Sequence, residues 1–164
     1  MTISFTDHVL EHKFHPIHFV DHPEFKPDLT PRQIFELGSF GGTYWREIHS
    51  MITNKNYKNE HKKFPFLKDL PDSIMTRKWS DYDTTINKYK VKVGTTLEFW
   101  EDNSWIKPID PYGWIQWYCN FYNGRRSYDD TRQIKRWQGI KNRFGNVQNK
   151  SPAIKQTLQH WAIY

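Results

Sequence analysis

Six basic residues in one stretch of the chain have the types and spacing to contact phosphates: Arg125, Arg126, Arg132, Lys135, Arg136 and Arg143. The segment Asp129–Phe144 reads as an amphipathic helix. Ile134, Trp137, Ile140 and Phe144 recur at helical spacing, and Arg132, Lys135, Arg136 and Arg143 fall on the other side. Arg125 and Arg126 extend the cations into the preceding turn. Phosphate contacts of this kind give affinity without sequence readout. Tyr112, Tyr122 and Tyr128 lie near enough in sequence to stack on unpaired bases. Asp130, beside Arg125 and Arg126, is the candidate general acid or base if the protein acts on DNA. A second candidate anion contact is Arg46, which ends the glycine-rich loop Gly38–Arg46. That loop lacks the Gly-Lys-Ser/Thr ending of a P-loop, and a helix C-cap followed by a tight turn accounts for its glycines.

The charge is unevenly placed. The net +6 resides in the C-terminal quarter: from Arg125 onward there are nine basic and two acidic residues, against 15 and 16 before it. Localised positive charge favours polyanionic partners. Cys119 is the single cysteine, so neither an intramolecular disulfide nor a cysteine-based zinc site can form. Expected surroundings are therefore reducing and intracellular. No apolar run approaches membrane-spanning length, the N-terminus lacks the pattern of a secretory signal, and no cofactor motif is present. His8, His12, His15, His18 and His22 crowd the N-terminus without a recognised metal-ligand spacing, so no metal site is assigned.

The elements that must position these residues read as mainly α. The expected architecture is a compact single domain of short helices over 29–164, joined by long ordered connections and preceded by a His-rich arm over 1–28. Thr30-Pro31-Arg32-Gln33 is a capping box that opens a helix ending at Gly38. Thr95–Glu98 repeats the box, Asp110-Pro111 restarts a helix, and Ser151-Pro152 opens the last one. In the helix after Pro111, Trp114, Trp117, Tyr118, Phe121 and Tyr122 form an aromatic face, with Gln116 and Asn120 opposite. A short helix is expected near 81–89 and a brief strand or hairpin near 91–93. Residues 53–72 read as a polar surface excursion. The aromatic fraction of 17%, with eight Trp, supplies a core from few residues.

The motifs GSFGGTYWR (38–46), LEFWEDNSWI (97–106), DPYGWIQWYCNFYNGRR (110–126), DDTRQIKRW (129–137) and HWA (160–162) resemble an uncharacterised family of large DNA viruses and microbial eukaryotes. The resemblance implies a domain-wide unit and carries no activity or site residue with it.

Three functions compete at this level. The first is a nucleic-acid-binding domain working through the six basic residues. The second is a small-molecule enzyme with a Trp/Arg-lined pocket for an acidic substrate. It would sit between helix 112–123 and the Gly38–Arg46 loop, with Arg46, Arg125 or Arg126 as the anion contact. The third is a virion structural or protein-interaction module.

Overall fold

The computed structural model describes residues 17–164; His8, His12 and His15 lie outside it. Helices are its main regular structure: α1 (Pro31–Glu36), α2 (Leu97–Asp102), α3 (Trp114–Tyr122), α4 (Asp130–Phe144) and α5 (Pro152–His160). Between α1 and α2 lie single 3-10 turns, irregular chain and an antiparallel hairpin of β1 (Ile48–Ser50) and β2 (Lys55–Tyr57). In the hairpin Ile48 faces Tyr57 and Ser50 faces Lys55.

The capping box is formed at α1. Thr30 Oγ1 accepts from the Gln33 N–H at 3.2 Å, and Gln33 Oε1 accepts from the Thr30 N–H at 2.8 Å. Gly38 follows at φ 72°, the left-handed stop expected of it. Ser151 caps α5, accepting from the Ile154 N–H at 3.2 Å. At α2 the cap is Thr96 rather than Thr95, whose hydroxyl instead accepts from Trp100 Nε1 at 2.9 Å.

Helix α3 is the centre of the core. Every residue from Trp114 to Tyr122 except Asn120 is buried, so the helix has no solvent face. Its polar side is covered as well, with Gln116 buried and Asn120 half-buried, because it ties down the chain that enters it. Gln116 Oε1 accepts from the Tyr112 N–H at 2.8 Å, and Asn120 Nδ2 donates to Asp110 Oδ1 at 3.0 Å. Consequently α3 starts at Trp114, and Asp110–Gly113 is a turn rather than the first helical turn. The Cys119 thiol is fully buried, and desolvation pushes its pKa well up, which removes it as a nucleophile at neutral pH.

Other expectations shift. No strand forms at 91–93: the Val91 carbonyl accepts from Asn87 Nδ2 at 2.7 Å, and the Lys92 ammonium sits 4.3 Å from the centre of the Trp79 ring. The helix expected near 81–89 is a run of turns after the 3-10 turn Trp79–Asp81. Residues 53–72 are not only surface, since Phe64, Leu67 and Leu70 enter the core. Residues 17–28 contribute Phe19 and Phe25, both fully buried. Phe25 packs edge-on against Trp137 at 5.1 Å and tilted on Trp117 at 5.5 Å.

Candidate binding pocket

Most of the basic residues near α4 are engaged within the chain. Arg125 forms a two-pronged pair with the buried Asp110 carboxylate at 2.9 and 2.6 Å. Burial raises the Asp110 pKa despite that partner. Arg126 grips Asp21 at 2.6 and 3.2 Å and lies 3.7 Å from the centre of the Phe121 ring. Arg132 pairs with Asp129 at 2.6 and 2.9 Å and donates to the Trp105 carbonyl at 3.2 Å. Lys135 and Arg143 remain exposed.

The candidate acid, Asp130, is a structural acceptor. It is 5% exposed and takes hydrogen bonds from Trp117 Nε1 (2.9 Å), the Ser127 N–H (2.8 Å) and Ser127 Oγ (3.0 Å). Neither Arg125 nor Arg126 is its partner. Two of the three stacking candidates are core: Tyr112 is 2% exposed and Tyr122 fully buried, whereas Tyr128 stands out at 72%. The Tyr112 hydroxyl donates to the Arg46 carbonyl at 2.6 Å, which makes it a strut under the loop rather than a platform.

The glycine-rich loop makes no anion nest. A Cβ on Gly38 would lie 1.9 Å from the Ile86 carbonyl oxygen, and one on Gly41 would lie 2.3 Å from the Tyr82 ring. The glycines admit the 73–87 segment instead. Loop N–H groups are consumed as well: Gly41 donates to Asn87 Oδ1 at 2.8 Å and Phe40 to His160 Nε2 at 3.1 Å. Phe40 itself is left-handed at φ 63°, a conformation that costs a non-glycine residue about 1–3 kcal/mol. It is held there by His160, whose ring stacks on it at 3.9 Å.

Of the eight arginines, five pair with carboxylates: Arg32, Arg77, Arg125, Arg126 and Arg132. Among the described residues Arg46, Arg136 and Arg143 have no carboxylate within 4.0 Å, and all three line cavities. Arg46 borders one of about 540 Å³ with Trp45, Trp79, Lys58 and Lys78. Glu47 and Asp72 share that wall, so its charge is mixed. Arg46 donates to the Thr43 carbonyl at 3.1 Å, and burial lowers its pKa.

The other cavity, of about 570 Å³, is where the chemistry concentrates. Its walls are Phe40 from the glycine-rich loop, the α2 segment with Phe99, Trp100 and Trp105, Trp114 from α3, the Arg136–Arg143 stretch of α4, and Trp161 after α5. The loop (Phe40, Tyr44) and α3 (Trp114, Ile115) thus both line it, as expected, but α2, α4 and α5 enclose it as well, and its cations are Arg136 and Arg143 rather than Arg46, Arg125 or Arg126. The Arg136 guanidinium is partly buried, 5.2 Å from the centre of the Trp161 ring and 5.9 Å from that of Trp105. Its Nη1 donates to Gln133 Oε1 at 2.8 Å. Burial and the neighbouring Arg132 push its pKa down to about 10, so it stays charged at neutral pH. Among the described residues no aspartate or glutamate lines the cavity.

His160 adds a second polar group. Its Nε2 accepts from the Phe40 N–H and faces Gln156 Nε2 at 3.1 Å. A backbone N–H is always a donor, so Nε2 carries no proton and the neutral ring holds it on Nδ1. Burial pushes the His160 pKa down to about 3. The ring is therefore a neutral donor across the physiological range.

The sequence pattern points to a Trp/Arg-lined pocket between the aromatic helix and the glycine-rich loop, and both supply walls here, but it assigns Arg136 to phosphate contact and gives no role to His160 or to the α2 and α5 walls. The available signal was the pair of cations at Arg136 and Arg143 flanking a helical glycine. Among the described residues no cluster of three potential metal ligands occurs, and no helix is long and apolar enough to cross a membrane. No protein-family model, curated protein or solved structure matches the chain.

Proposed function

We propose that the protein binds a small, flat, anionic molecule in the cavity around Arg136. The observation that carries this is a partly buried guanidinium, beside two tryptophan rings, with no carboxylate among the described residues of the cavity walls. A charge withdrawn from water is costly unless something neutralises it. Asp110, Asp21 and Asp129 do that for Arg125, Arg126 and Arg132, and a bound anion would do it for Arg136. The ring faces favour a flat ligand, and a volume of about 570 Å³ falls within the usual range of ligand pockets.

The test is tryptophan fluorescence with 2-naphthoate as probe, since four tryptophans line the cavity. Saturable quenching is expected, with binding at least about tenfold weaker for the neutral 2-naphthamide. A leucine at Gly139 supplies the control. Gly139 lines the cavity and a Cβ there meets nothing within 4 Å, so Gly139→Leu is expected to fold and to narrow the cavity. Equal quenching by the acid and the amide, or no effect of Gly139→Leu, refutes the proposal.

A second reading, contact with a nucleic-acid backbone, is supported by the exposed Lys135, Lys141 and Arg143 on α4 and by the exposed Tyr128. With Arg125, Arg126 and Arg132 committed to carboxylates, about three phosphate contacts remain. The log–log salt slope on duplex DNA is then about −3 rather than the −5 expected of all six basic residues. A slope near −5 would mean that the ion pairs open on binding.

A further inference from the structure

Arg136, Gly139, Ile140 and Arg143 stand at i, i+3, i+4 and i+7 on α4, and all four line the aromatic cavity. They form a strip with a cation at each end and a gap in the middle, because Gly139 has no side chain and open space where one would lie. Seven residues of helix set the backbone positions of the two arginines about 10 Å apart along the axis. The inner cation, Arg136, is beside Trp105 and Trp161, whereas the outer one, Arg143, is exposed.

The inner end offers donors. Beside Arg136, two wall residues carry further N–H groups: His160 at Nδ1, and Trp114, 6% exposed, whose indole N–H has no hydrogen-bond partner among the described residues. The hydroxyls in the lining are engaged. Tyr44 donates to the Tyr112 carbonyl at 2.7 Å, Thr157 donates to the Ala153 carbonyl at 2.9 Å, and Thr95 accepts from Trp100. A ligand edge that presents acceptors is satisfied there, whereas an edge that presents an amino group finds no carboxylate to receive it.

We infer that the cavity takes a guanine nucleotide unit, which rests on the proposal that it holds a flat anion. The guanine O6/N7 edge presents two acceptors spaced for the fork of Arg136. The tryptophan walls take the ring, the sugar passes the gap at Gly139, and the phosphate meets Arg143. The rise of about 10 Å between the two backbone positions leaves the side chains able to reach the far edge of a purine and its 5′-phosphate. Adenine keeps N7 but carries an amino group where guanine has O6, and cytosine presents its N4 amino group, so each sets a donor against the Arg136 fork. The shared chemistry is the same for a free nucleotide and for one residue of a single strand.

The test is fluorescence titration of the full chain with GMP, AMP, 7-deaza-GMP and guanosine. GMP is expected to bind at least about tenfold tighter than both AMP and 7-deaza-GMP, which lacks the N7 acceptor. Arg136→Lys, which keeps the charge but not the fork, removes most of the GMP/AMP difference. Arg143→Ala weakens GMP and AMP by a similar factor and leaves guanosine unchanged. The 7-deaza comparison uses the unaltered protein, so it stands even if an Arg136 variant fails to fold. Equal affinity for GMP and AMP, or no GMP binding at millimolar concentration, overturns the inference. If 2-naphthoate still binds in that event, the flat-anion pocket survives; if it does not, both fall. A six-nucleotide single strand containing one dG, competed against GMP, separates the two sources. Tighter binding of the strand assigns the unit to a strand, and weaker binding assigns it to a free nucleotide.

Discussion

Acidification should destabilise the fold through His160, in a pH range where most carboxylates are still ionised. Two donors, the Phe40 N–H and Gln156 Nε2, are aimed at His160 Nε2, each at 3.1 Å. Protonation would put a third donor against them inside the protein. Burial sets the folded pKa at about 3, against an ordinary value of 6.5 that the unfolded chain retains. The sign follows from linkage. Above pH 6.5 neither state binds the proton and the full stability is present. As pH falls toward 3, the unfolded chain is protonated and the folded chain is not, so stability is lost. The limiting slope is about 1.4 kcal/mol per pH unit, which gives a loss of about 2 kcal/mol between pH 6.5 and 5. His61, whose pKa burial also lowers, titrates in the same direction. The measurement is therefore a difference between urea unfolding of the wild type and of His160→Gln at pH 7.5, 6.0 and 5.0. The variant is expected to be less stable at pH 7.5 and to show a shallower decline below pH 6.5. Nitrogen chemical shifts of the His160 ring at pH 5 should still report a neutral Nδ1–H tautomer. An identical pH slope in the two proteins, or an imidazolium at pH 5, would refute the reasoning.

Three further outcomes follow from the packing. Arg125→Met should lower stability by about 3 kcal/mol at pH 7, because it leaves the Asp110 carboxylate buried without its two-pronged partner. The Asp110 pKa is already raised by burial, so removing Arg125 raises it further, and the loss should shrink on acidification as the carboxyl protonates. Chemical denaturation of Arg125→Met beside Arg125→Met/Asp110→Asn checks this, and equal stability of the two at pH 7 would show that uncompensated charge is not the cause. Gly139→Ala, at a helical position with open space, should raise stability by about 0.5–1 kcal/mol, visible as a higher urea midpoint at unchanged slope. Asp130→Ala should lose about 2 kcal/mol or more by stranding the indole N–H of Trp117 and the Ser127 N–H; a variant as stable as wild type would return Asp130 to candidacy as a reactive group.

Local signals were legible in the sequence. The Thr30–Gln33 box, the Ser151 cap and the stop at Gly38 depend on residues within a turn of one another, and all formed. The fate of the arginines was not legible. Arg126 finds Asp21 across 105 residues of chain, and Arg125 finds Asp110 across a helix that separates them by 15. A pattern of cations along the sequence does not reveal which have been neutralised by distant carboxylates. The partners of Gln116 and Asn120, opposite the aromatic face, were hidden for a related reason. Both are polar, but their hydrogen bonds go to the incoming turn, which lets the whole of α3 be enclosed. The brief strand came from three alternating residues at 91–93, too few to outweigh the Asn87 side chain that holds Val91 in a loop. The cavity draws its walls from the loop after α1, the α2 region, α3, α4 and α5, so it exists only in the assembled fold.

The order in which the chain is made bears on how it folds. The Ala162 carbonyl accepts from the N–H groups of Asp28 and Leu29 at 2.7 and 3.2 Å, and Trp161 packs on Trp114 at 4.6 Å. The segment that delivers Phe19 and Phe25 to α3 is thus anchored by a residue translated more than 130 positions later. Closing a loop of that length must precede any benefit from the contact, and such long-range pairing slows folding. Until residue 162 has left the ribosome, the aromatic surface of α3 has no complete cover, and the nascent chain exposes tryptophan and phenylalanine rings that invite aggregation. Yield in cells should therefore depend on chaperone capacity more than the stability of the finished protein would suggest.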